Sequence, residues 1–92
     1  MTASIVWTPL AEGDLLSAVD RLKNTGLDPD DFLQTVDGDL LALADSPYQG
    51  EMGRVTATRE WPMARHDYLA VYMVLPAQIT VLRLLSLKLD DA

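Results

Sequence analysis

The chain has no cysteine, one histidine and one phenylalanine. Without thiols it forms neither disulfides nor thiolate metal sites. A lone His66 cannot build a histidine-rich centre, and the aspartates do not follow EF-hand spacing, so no metal and no cofactor is expected. No glycine-rich phosphate loop and no Ser/His/Asp grouping stands out. Long apolar runs are also missing: none reaches the roughly 20 residues that cross a bilayer. The opening MTASIVW lacks the charged stretch and long apolar core of a signal peptide. A cytoplasmic protein without a membrane partner is the resulting expectation.

Positive charge is scarce. Seven Lys and Arg stand against 14 Asp and Glu, a net charge of −7. Residues 1–46 carry nine acids and two bases, whereas residues 47–92 carry five of each. The first half should repel nucleic acid and anionic lipid, so direct nucleic-acid binding is not expected. Any contact with an anion must use the second half.

What is present suits a small globular protein. Hydrophobic residues make up 49% of the 92, too many for a disordered chain and enough for one domain over residues 1–92. A chain of this size buries roughly 60–65% of its unfolded surface, so its stability margin is thin. A partner that covers apolar surface would add to it.

The pattern predicts a strand over residues 3–7, β-branched and aromatic. Thr8 and Pro9 then read as the cap and first position of a helix. Ala11, Leu15, Ala18, Val19 and Leu22 recur at helical spacing, with Asp14, Asp20, Arg21 and Lys23 on the surface, and Gly26 supplies the stop. Asp28 and Pro29 start a second helix, whose stripe is Phe32, Leu33, Val36, Leu40 and Leu43 and which ends at Ser46-Pro47. Three strand-like runs follow, over residues 54–63, 68–75 and 78–89. The middle run is apolar throughout and reads as a central strand covered on both faces. The leucines of the last run also allow a helix. The fold class is therefore α+β, in the order β-α-α-β-β-β, with a helical hairpin on one face of a small, mainly antiparallel sheet.

In the first run Arg59 shares the alternating side of Val55, Ala57, Trp61 and Met63. In the last, Arg83 shares that of Ile79, Val81, Leu85 and Leu87. A charge on a core-like face either snorkels out or pairs with an acid, such as a helix aspartate, or belongs to a working surface. Arg65 and His66 fall on a polar turn, where solvation is the plain reading. Trp61, beside Pro62, suits a partner interface.

Short motifs run through most of the chain in a set order. They include Leu10-Ala11 followed by Asp14-Leu15, then Asp28-Pro29, then Leu43 through Pro47 to Gly50. Gly53-Arg54-Val55, Thr58-Arg59-Glu60, the pair Tyr68 and Tyr72, and Ile79 through Leu82-Arg83 complete the set. In this order and spacing the chain resembles the RelE/ParE toxin superfamily of type II toxin–antitoxin systems, and most of all the ParE branch. The resemblance implies a toxin that poisons DNA gyrase, as ParE proteins do, and that a cognate antitoxin neutralises. RelE-branch proteins instead cleave mRNA on the ribosome. Near the last strand the family usually has a histidine and then a basic residue, where this chain has Ser86 and Lys88. The position after the second tyrosine, often arginine, is Met73, and the family is usually basic. An RNase needs cations around the phosphate and a group that moves a proton, so these departures turn the expectation from an enzyme toward a toxin that binds a protein. A non-toxic binding module on the same fold and a RelE-like endoribonuclease are the alternatives. The expected contact residues are Arg59, Arg83, Lys88, Trp61, Arg65 and His66.

Overall fold

A computed structural model describes residues 3–63 and 66–87. The chain runs β1 (Ser4–Trp7), α1 (Pro9–Asn24), α2 (Pro29–Asp45), a 3-10 turn (Pro47–Gln49), β2 (Glu51–Met52), β3 (Arg59–Met63), β4 (Tyr68–Leu75) and β5 (Gln78–Ser86). Two helices pack on a five-stranded mixed sheet in the order β1-β5-β4-β3-β2. β1 runs parallel to β5, and the remaining pairs are antiparallel.

Both helices begin where their caps dictate. The Thr8 hydroxyl oxygen accepts the Ala11 amide at 3.1 Å, and its hydrogen points at the carbonyls of Val81 (3.1 Å) and Leu82 (3.2 Å). One side chain thus caps α1 and ties it to β5. Gly26 adopts φ 79°, and the amides of Gly26 and Leu27 return to the carbonyls of Lys23 and Leu22. That paired closure is the glycine-based stop expected after α1. Asp28 caps α2 by accepting the Asp30 amide at 3.0 Å.

The core lies between the helices and one sheet face. Ala11, Ala18 and Leu22 of α1 and Phe32, Val36, Leu40 and Leu43 of α2 meet Tyr68, Ala70 and Tyr72 of β4 and Ile79, Val81 and Leu84 of β5. Coverage of β4 on both faces is not found. On the side away from the core Leu69 is buried, Val71 and Met73 are half-buried, and Leu75 is exposed. The expected strand over residues 54–63 starts only at Arg59, and a two-residue strand, β2, forms earlier. Between them the backbone folds on itself: Gly53 donates to the Thr58 carbonyl at 2.8 Å, Thr58 donates to Val55, and Ala57 sits at φ 69°. That left-handed residue breaks the extended geometry, so the alternation of Val55 and Ala57 with Trp61 had no structural meaning. Val55 is 66% exposed. At the far end β5 stops at Ser86, and residues 88–89 of the expected strand lie outside the described residues.

Tyr72 joins the layers. Its ring is fully buried; its hydroxyl donates to the Pro47 carbonyl at 2.7 Å and accepts the Gly50 amide at 3.0 Å. Gly50 is required there for space, because a Cβ would lie 2.9 Å from the Glu60 carbonyl oxygen. Tyr72→Phe should leave the Gly50 amide and the Pro47 carbonyl unpaired, at a cost of about 1–3 kcal/mol. Thermal melts followed by circular dichroism should show Tm falling by roughly 4–8 °C for each kcal/mol.

Candidate functional site

Arg83 owes its position to a β-bulge. Val71 pairs with Arg83 but Tyr72 pairs with Val81, which leaves Leu82 as the extra residue. The alternation slips by one there: Ile79, Val81 and Leu84 are buried, and Arg83 leaves the core side. β1 pairs with β5 only as far as Val81. Beyond that point no strand among the described residues pairs with this edge of β5, and α1 supplies one side chain instead. Asp14 Oδ2 accepts the Leu84 amide at 2.9 Å and Arg83 Nε at 2.7 Å, while Oδ1 accepts Arg83 Nη2 at 3.2 Å.

Asp14 is therefore not the surface acid its helical position suggested; its side chain is only 16% exposed. Burial by itself would raise its pKa. The hydrogen bonds from Arg83 and the Leu84 amide, with the Arg83 charge, outweigh burial and hold the carboxyl below the usual carboxylate range. The same bond to Asp14 raises Arg83, against a smaller opposing effect of burial.

Arg59 is placed differently. It lies on the core side of β3, opposite Tyr72, but its guanidinium reaches the sheet edge. There Nη1 donates to the Gly50 carbonyl at 2.8 Å and to the Tyr48 carbonyl at 3.3 Å. The Tyr48 ring covers it, with the centroid 4.9 Å from Cζ, within cation–π range. Burial pushes the Tyr72 phenol up, and the Gly50 hydrogen bond and the Arg59 charge offset part of that.

The other expected contact residues are scattered. Trp61 is half-buried and packs against the core. His66 is not on a solvated turn: its side chain is 12% exposed, with Nε2 3.4 Å from Asp31 Oδ2 and 3.4 Å from Thr35 Oγ1. Its ring meets Phe32 edge-on at 5.3 Å. The reason is tertiary, since His66, two residues before β4, packs onto the first turns of α2. A parallel tie joins α1 to β4, where Arg21 Nη1 donates to the Tyr68 hydroxyl at 2.7 Å. Arg65 and Lys88 lie outside the described residues. Sequence reasoning missed Asp14 and Tyr48. The signal for Asp14 was a length mismatch, four residues in β1 against nine in β5, which leaves strand amides that a helix must satisfy. Among the described residues, no group of three His, Asp or Glu side chains is placed to hold a metal ion, and no helix is long and apolar enough to cross a membrane.

Two helices on a mixed five-stranded sheet of this order define the RelE/ParE-like α+β fold. The chain is similar to a solved chain from a chromosomal ParDE toxin–antitoxin system of P. aeruginosa, at TM-score 0.77 and 22% identity over 95% of this chain and 98% of that one. It is also similar to a chain of the E. coli DinJ-YafQ toxin–antitoxin complex, at TM-score 0.61 and 11% identity over 94% and 93%. A third likeness is to the conserved hypothetical protein HP0894 of Helicobacter pylori, at TM-score 0.57 and 27% identity over 94% of each chain. No curated protein matches. The family described as "ParE toxin of type II toxin-antitoxin system, parDE" matches residues 5–88, and the chain belongs to that ParE toxin family.

The Asp14 contact makes a pH-dependent prediction. A carboxyl depressed in the folded state stabilises above its unfolded pKa, and that contribution is lost as pH falls through the folded value. Asp14→Asn should cost about 1–3 kcal/mol at neutral pH. In urea unfolding the gap to wild type should narrow below about pH 4, where the unfolded carboxyl protonates.

Proposed function

We propose that the chain is the toxin of a two-component module, bound and silenced by a cognate antitoxin and acting on a protein target, DNA gyrase. The observation that carries this reading is the family match over residues 5–88; residues 1–92 then act as one toxin domain. The ParDE neighbour favours an antitoxin partner. So do the apolar side chains left uncovered: Leu10, Leu16, Leu41 and Met52 are each more than half exposed. Contact with the target or the antitoxin is assigned to Arg59 and Trp61, with Arg65 and Lys88 as further contacts. Arg83 and His66 are already engaged by Asp14 and Asp31. A RelE-like cleavage of mRNA is disfavoured by the net charge of −7 and by a histidine turned into the fold rather than toward a substrate. The same charge, with Ser86 in place of the family's histidine, favours as second reading a non-toxic binding module.

Inducible expression with and without the adjacent small open reading frame tests these readings. The toxin reading expects slowed growth and gyrase-linked DNA breaks from the chain alone, both relieved by co-expression. Normal growth without trapped gyrase–DNA complexes sinks it. A stable complex with the co-encoded protein and no growth effect selects the binding module.

A further inference from the structure

Among the described residues Arg59 is anchored only by neutral groups. Nη1 is held by the carbonyls of Gly50 and Tyr48, and the Tyr48 ring covers one face of the guanidinium. Among the described residues Arg59 forms no ion pair, in contrast to Arg54 and Arg83. The adjacent acid, Glu60, is turned to the other side of the strand, where Oε2 accepts the Arg54 amide at 3.1 Å. The Nε and Nη2 donors of Arg59 have no acceptor among the described residues. A planar guanidinium with unused donors matches the geometry of a carboxylate.

The surroundings give that charge a shaped site. Tyr48, Met52, Ala57, Thr58 and Val74 line a cleft of about 180 Å³ beside it. Tyr48 and Met52 are 68% and 72% exposed, so apolar surface flanks the cation. Tyr48 and Val74 also form one wall of a larger depression, about 590 Å³, which runs over Pro47 and Leu75 to the β4–β5 turn. The two hollows form a trough across one end of the sheet, with the cation at one end and apolar walls along it.

We propose that this trough docks an extended segment of a partner protein in which a carboxylate side chain is flanked by apolar residues. The carboxylate takes the free donors of Arg59, and the apolar groups lie on Tyr48, Met52 and Val74. Charge complementarity selects this occupant. The excess acid of the chain lies in residues 1–46, whereas Tyr48, Met52, Arg59 and Val74 belong to the half in which acids and bases balance. The site is argued from Arg59 itself and stands whether or not the partner is an antitoxin.

The test is a nuclear magnetic resonance titration of the whole ¹⁵N-labelled chain with the capped peptide Leu-Asp-Leu-Val, its Asn counterpart and sodium acetate. The Asp peptide should shift the amides of Tyr48, Arg59 and Val74. The Asn peptide should bind about tenfold more weakly, and high salt should weaken the Asp peptide alone. Met52 is the cross-strand partner of Arg59, so Met52→Glu places an internal carboxylate at the site without touching the core. It should leave Tm unchanged and abolish the Asp-peptide shifts. Arg59→Gln should likewise abolish the Asp-peptide shifts, and Met52→Glu decides if that variant does not fold. Equal affinity for the two peptides, acetate shifts matching those of the peptide at equal concentration, no binding, or unaltered binding by Met52→Glu each overturns the proposal.

Discussion

A mismatch in strand length governs this protein. β1 covers only the first part of β5, and past Val81 the strand would present bare amides to a buried edge. Buried backbone donors without partners are costly. The Asp14 carboxylate answers the Leu84 amide and the Arg83 fork together. At the start of α1 the Thr8 hydroxyl adds a second tie, donating toward the carbonyls of Val81 and Leu82. α1 is thereby fixed to the sheet by hydrogen bonds as well as by apolar packing, and the bulge at Leu82 becomes tenable because a helix side chain receives the shifted residues.

The two arginines that interrupt apolar strands illustrate opposite solutions. Arg83 is rotated off the core side by the bulge and neutralised by an acid from a helix distant in sequence. Arg59 stays on the core side and escapes at the sheet edge, where it meets carbonyls and a tyrosine ring. The first arrangement couples a helix to a strand, and the charge is used up in the fold. In the second the charge is held in place but not neutralised by another side chain among the described residues. A cation held rigidly by neutral groups is pre-organised for an anion, because little side-chain freedom is lost when the partner arrives.

Much of the architecture was legible in the residues. Thr8-Pro9, Gly26 and Asp28-Pro29 mark helix ends through local hydrogen bonding and fixed φ, so both helices and their short link follow directly. The apolar run from Tyr68 placed β4 at the centre of the sheet. The limits of β3 were not legible, since period-two alternation continued through residues 54–58 while Ala57 turned left-handed. Nor was the change of side in β5, which depends on a bulge. His66 read as solvated because its partners, Asp31 and Thr35, lie more than 30 residues away in sequence.

Local physics, read from the chain alone, determined both helices, the central strand and the acidic first half, because caps, periodicity and charge act over a few residues; the likeness to the ParE family came from the order of short motifs. The tertiary structure alone decided which charges are spent in the fold and which stay available. That choice turns on distances between residues such as Asp14 and Arg83, 69 positions apart, which neither helical nor strand periodicity encodes.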